Sequence, residues 1–201
     1  MMSVLVLSLM ILAAAKPDPK VQSEADEYTL YELLAPETAQ FHILYEVTAT
    51  TPGSTLFFNP IRKGSEASGE AVFDRFTGQK AKAEVVPGAE AMAGGVPDAD
   101  KDTQYLRVHL PRSVPKDGGV RLLIEKTYKD PKSYFLEADR IVFSRTLGIR
   151  RNAVILPTGF ELVACNAPAQ VLPEKDGRLR VSFMNPGPGE LPLVVKARRL
   201  P

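Results

Sequence analysis

The chain has 201 residues, 44% of them apolar, with 25 Lys and Arg against 24 Asp and Glu for a net charge of +1. An apolar share of that size supports one sizeable core or two small ones and excludes a chain that is disordered over most of its length. The single Cys165 cannot close an intramolecular disulfide, so stability has to come from the core.

The first fifteen residues, MMSVLVLSLMILAAA, carry an apolar run from Val4 to Ala15 that ends in the small-residue pattern Ala13-x-Ala15. Polar residues follow at once, which predicts a secretory signal peptide over residues 1–15 with cleavage after Ala15. The run falls short of the roughly 20 residues that a membrane-spanning helix needs. No Lys or Arg precedes it, and no cysteine follows it closely, so a lipid-modified N terminus is not expected. The expected destination is the periplasm or the extracellular space, in soluble form. Residues 16–27 then read as an exposed linker.

From residue 28 onward the apolar positions recur with period two, the mark of half-buried strands. In QFHILYEVTAT, Phe41, Ile43, Tyr45, Val47 and Ala49 fall on one face. In TQYLRVHL the inward set is Leu106, Val108 and Leu110, and in RLRVSF it is Leu179, Val181 and Phe183. Turn chemistry separates the runs, with Asp176-Gly177 predicting a tight hairpin. No segment shows a sustained helical stripe with caps at both ends. Ten to twelve short strands over residues 28–201 predict an all-β, antiparallel β-sandwich, either as one unit or as two sandwich-like halves in series with a sub-boundary within residues 87–119.

The residues that could carry chemistry are few. His42 and His109 each lie on the polar side of a strand, and the zinc-hydrolase, serine-hydrolase, phosphate-loop and dinucleotide motifs do not occur. Asp98, Asp100 and Asp102 have the spacing of the first half of a calcium loop, but its sixth position is Thr103 where glycine is required and its twelfth is His109 where a bidentate Glu is required. Cys165, at the end of FELVAC, reads as a structural thiol, small and buried. The segments NAVILP and FELVAC read as adjacent core strands joined at Pro157-Thr158-Gly159.

Charge is uneven along the chain. Residues 26–110 carry 13 Asp and Glu against 7 Lys and Arg, and residues 111–201 carry 9 against 16. In the basic half, Lys126, Lys129, Lys132, Arg145, Arg150 and Arg151 accompany Tyr128 and Tyr134, the mixture with which a surface holds an anionic polymer or head group.

NPIRKGSEASGE, DRFTGQKAKAEVV, KTYKDPKSYF, LGIRRNAVILPTGFELVACNAPAQV and DGRLRVSFMNPGPG together resemble a family of uncharacterised exported bacterial β-rich proteins, over nearly the whole mature chain. The strand pattern is also distantly similar to the β-rich N-terminal domain of gluzincin aminopeptidases, here without the catalytic domain's zinc-binding helix. Neither resemblance implies a site residue.

The expected function is a non-catalytic exported binding module of the envelope or extracellular space, with an anionic polymer, anionic lipid head groups or an envelope protein as partner and weak self-association. The alternatives are a small-ligand or glycan-binding module, a stand-alone relative of a peptidase N-terminal domain, and lastly an enzyme using a carboxylate pair such as Glu46 with Asp74. No cofactor and no nucleic-acid partner is expected. An aromatic-lined groove favours the small-ligand reading, a one-sided basic face without a pocket favours the surface reading, and a buried carboxylate with a raised pKa favours the enzyme.

Overall fold

The computed structural model describes residues 20–200; the expected signal peptide and the first residues of the expected linker lie outside them. The strands are β1 (Glu24–Leu33), β2 (Gln40–Ala49), β3 (Leu56–Pro60), β4 (Glu66–Asp74), β5 (Lys80–Ala81), β6 (Ala83–Pro87), β7 (Gln104–His109) and β8 (Val120–Lys129) in the first part of the chain. They continue as β9 (Tyr134–Glu137), β10 (Arg140–Leu147), β11 (Arg151–Ile155), β12 (Phe160–Cys165), β13 (Ala169–Pro173), β14 (Leu179–Met184) and β15 (Leu191–Arg199). One short helix, α1 (Gly88–Ala93), separates β6 from β7. Among the described residues no helix is long and apolar enough to cross a membrane.

Alternation determines which side chains go inside. Every odd-numbered residue of β2 is buried and every even-numbered one is partly exposed, as period-two patterning requires. β8 follows the same rule with Val120, Leu122, Ile124, Lys126 and Tyr128 inward. An eight-stranded sheet in the order β13-β14-β11-β1-β2-β8-β4-β5 stacks against a four-stranded sheet, β12-β15-β10-β9, and a three-stranded sheet, β3-β7-β6. Phe143 of the four-stranded sheet packs its ring 5.3 Å from both Phe41 and Tyr31 of the large one, which fixes the centre of the core. The fold is an all-β sandwich with antiparallel pairing throughout, except that β1 and β11 run parallel.

Several expectations change. The large sheet draws β1, β2, β4 and β5 from before the 87–119 stretch and β8, β11, β13 and β14 from after it, so the two halves do not fold in series. The stretch itself holds α1, whose Ala91 is fully buried, and the central strand β7. β1 begins at Glu24, inside the expected linker, and Gln22 is tied down by hydrogen bonds to both the N–H and the C=O of Phe58. NAVILP and FELVAC are not paired: β11 lies in the large sheet and β12 at the edge of the four-stranded one. The Asp176-Gly177 hairpin forms between β13 and β14, but with a three-residue loop whose left-handed residue is Gly177, at φ 85°.

A bulge between Leu162 and Ala164 explains Cys165. The extra residue switches the phase of β12, so Cys165 pairs with the buried Val195 and packs on the core although it is in sequence phase with the exposed Val163. The thiol is half-buried where full burial was expected.

Candidate functional site

Three rows of side chains on the inner face of the large sheet form the floor of a cavity of about 530 Å³ between the sheets. One row is Tyr31, Ile43 and Lys126, neighbours across β1, β2 and β8. The next along the strands places Thr29 beside Tyr45. Glu27 and Glu24 follow at the exposed end. The opposite wall comes from Phe58 and Asn59 of β3, Tyr105 of β7 and Arg145 of β10.

Lys126 and Arg145 are the chemically distinctive groups. Lys126 occupies an inward position of an alternating strand and is only 4% exposed. Its ammonium donates to Asn59 Oδ1 at 2.6 Å and to the Pro60 carbonyl at 3.4 Å, both neutral, and lies 5.3 Å from the centre of the Tyr128 ring. No carboxylate pairs with it among the described residues. Burial first, and then the nearby Arg145 guanidinium, push its pKa down to about 8, with Glu70 acting weakly the other way. Lys126 is therefore mainly a cation at neutral pH.

Arg145 reaches in from the other sheet. Its guanidinium carbon stands 5.3 Å from the Phe41 ring centre, 5.4 Å from Tyr128 and 5.8 Å from Tyr31, an aromatic cage that holds a weakly hydrated cation. Its counter-ion is Asp130 at 3.4 Å. Burial raises the Asp130 carboxyl, but hydrogen bonds from Ser133 and Ser65, together with Arg145, outweigh burial and hold it below the ordinary aspartate value. Thr29 Oγ1, buried in the cavity lining, has no hydrogen-bond partner, and neither does Oδ1 of its register neighbour Asn152. Orphaned buried polar atoms are costly and uncommon.

The residues expected to form one anion-holding surface separate into two sets. Lys126, Tyr128 and Arg145 come together, but inside the protein. Tyr134 is fully buried and donates to the Leu34 carbonyl at 2.9 Å, away from the cavity. Lys129, Lys132, Arg150 and Arg151 are exposed and do not converge. Lys129 pairs with Gln40 at one end of β2, whereas Arg151 is two strands from Glu46, about 20 Å further along the sheet. Arg151 also faces Asp26 at 3.9 Å.

The split in charge between the halves is not a split in space. Arg121 pairs with Glu46 at 3.0 Å, Arg178 with Glu32 at 2.5 Å, and Arg112 with Asp74, each joining the basic half to the acidic one. These pairs also account for the carboxylates Glu46 and Asp74. Asp74 is fully buried and receives the N–H groups of Phe76 and Thr77, so it closes the turn after β4. The acidic run is local structure too: Asp100 accepts from the Asp102 N–H at 2.9 Å and the Thr103 hydroxyl at 3.0 Å. His42 meets Thr127 at 3.2 Å and His109 meets Glu84 at 2.8 Å, in separate sheets.

No protein-family model matches the chain, and no curated protein matches its sequence. Solved structures do match in fold. An M1 zinc metallopeptidase from Deinococcus radiodurans superposes with a TM-score of 0.54 at 12% identity, over 89% of this chain and 42% of that one. A mutant of the same enzyme bound to a Tyr-Ser-Ala substrate gives 0.50 at 13% identity, again over 89% of this chain and 42% of that one. A mutant two-domain M1 zinc metallopeptidase bound to L-tryptophan gives 0.50 at 12%, over 91% and 43%. The chain thus spans less than half the length of the peptidases it matches, and the likeness, one of fold, fits the distant resemblance to the β-rich N-terminal domain of gluzincin aminopeptidases.

Proposed function

We propose that this protein is a non-catalytic binding module that acts after export and holds a small ligand between its sheets by an anionic group such as a carboxylate. The observation that carries this reading is Lys126, a buried ammonium with only neutral acceptors, opening onto a tyrosine-lined cavity beside a second buried cation. A buried charge without a counter-ion is expensive, and an anionic ligand would supply the missing partner. The aromatic lining favours a small ligand over a flat interaction surface. Glu46 and Asp74 are engaged in ion pairs and a turn, which removes them as a catalytic carboxylate pair. The fold likeness supports a relative of the peptidase N-terminal domain as the evolutionary setting.

Calorimetric titration with hexanoate, a carboxylate on a short apolar tail, tests the site. The wild-type chain binds it, Lys126→Met does not, and the surface variant Arg150→Glu with Arg151→Glu binds as wild type does. Absence of binding to the wild-type chain overturns the anion reading; loss in the surface variant with retention in Lys126→Met moves the site to the exterior. For export, the expected mature N terminus is Lys16, read by N-terminal sequencing of secreted material, and an intact Met1 on membrane-bound protein overturns it.

A further inference from the structure

The cavity has a second end of opposite charge. Glu27, Thr29 and Tyr31 share the inward phase of β1, whereas Glu24 by simple alternation would point outward. A bulge around Asp26, at φ 54°, shifts the register between Ala25 and Tyr28, so that Glu24 pairs with the inward-facing Ala49 and joins Glu27 on the cavity side. Bulges commonly re-aim a side chain in this way. Glu27 accepts the Tyr45 hydroxyl at 2.6 Å. Neither glutamate is ion-paired among the described residues, although ion pairs occupy much of the surrounding sheet. The exposed Glu24 and the half-buried Glu27 thus place two carboxylates without a cation at one end of the cavity, and Lys126 places a buried cation without an anion at the other. Loss of water and then Glu27 push the Glu24 carboxyl up to about 7. The unpartnered Thr29 hydroxyl lies between the two ends, and the four residues from Glu27 to Tyr31 separate them by about 13 Å of strand.

We infer that the cavity is a two-ended site for an amine-bearing carboxylate, with the carboxylate against Lys126 and Arg145 at the buried end and the ammonium between Glu24 and Glu27 at the exposed end. The inference rests on the anion reading above and adds the second recognition element. The spacing favours an amine several bonds away from the carboxylate, since an α-amino group would remain close to the two cations and be repelled. The Thr29 hydroxyl is placed to meet a polar group in the middle of the ligand.

The test compares hexanoate, α-aminohexanoate and ω-aminohexanoate by calorimetry at about pH 7.5, between the Glu24 and Lys126 values of about 7 and about 8. ω-Aminohexanoate is expected to bind about tenfold more tightly than hexanoate, the scale of one charge-assisted hydrogen bond, and α-aminohexanoate no more tightly. Glu24→Lys should abolish the preference for ω-aminohexanoate over hexanoate, and a urea denaturation curve like that of the wild-type chain shows that the variant is folded. Equal binding of hexanoate and ω-aminohexanoate by the wild-type chain overturns the two-ended site and leaves the anion reading standing. Failure of all three to bind overturns both.

Discussion

Replacing Lys126 with methionine is expected to raise the unfolding free energy at pH 7 by about 1 to 3 kcal/mol, because an apolar side chain of similar length removes a buried charge that has no counter-ion. The depression of the ammonium from 10.5 to about 8 corresponds to roughly 3 kcal/mol of opposition to protonation in the folded state, at about 1.4 kcal/mol per pKa unit. Between those two values the unfolded chain binds the proton that the folded chain has released, so this lysine makes wild-type stability rise with pH from about 8 toward 10.5. Urea denaturation of both proteins from pH 7 to about 9.5 measures the difference before tyrosine ionisation sets in near pH 10. The stability difference should be largest at pH 7 and shrink as pH rises. A variant less stable than wild type at pH 7 would show that Lys126 is well solvated or paired, and would remove the reason for a ligand's anion at that position. Greater stability together with lost hexanoate binding is the signature of a site kept at the expense of the fold.

Asp130→Ala is expected to act in the opposite direction and more strongly, destabilising the protein by about 3 to 5 kcal/mol at pH 7, the usual effect of stranding one member of a buried ion pair. Arg145 is 7% exposed and Asp130 5%, so water cannot replace the lost partner well. The same carboxylate accepts the hydroxyls of Ser65 at 3.1 Å and Ser133 at 2.7 Å and the N–H groups of Lys132 and Ser133, which order the turn between β8 and β9. Because its folded pKa is held below the ordinary aspartate value, its contribution is present above that value and is lost as pH falls through the lower folded value. The effect of the substitution should therefore diminish in strong acid. Adding Lys126→Met to Asp130→Ala should restore more stability than Lys126→Met adds to the wild-type chain, since Lys126 and the unpaired Arg145 repel each other across the cavity. Strict additivity of the two changes, measured by a denaturation cycle, would place the two cations too far apart to form one end of a site.

The alternation of β2, β7 and β14 is legible in the sequence, because a strand with one face in a core must repeat its apolar residues every second position, and this alone predicts the all-β class. Part of the candidate site is legible by the same rule. Lys126 follows Val120, Leu122 and Ile124 in phase, and Arg145 follows Ile141 and Phe143 in phase, so each is a cation at an inward position rather than a member of a basic surface. Grouping by charge and nearness along the chain hides that signal. Bulges defeat the rule locally: at Asp26 and at Val163 one extra residue reverses the phase, and the inward placement of Glu24 and Cys165 follows from strand pairing alone. The encounter of Lys126 with Asn59, the caging of Arg145 by Phe41 and Tyr128, and the pairing of Glu46 with Arg121 join residues far apart in the chain. The sequence by itself determined that these segments are strands and which faces are apolar, since both follow from backbone geometry and local burial. Only the tertiary structure decided that two cations and two carboxylates face one cavity and that the acidic and basic halves neutralise each other, because strand order and sheet stacking are set by long-range packing that leaves no local periodicity to read.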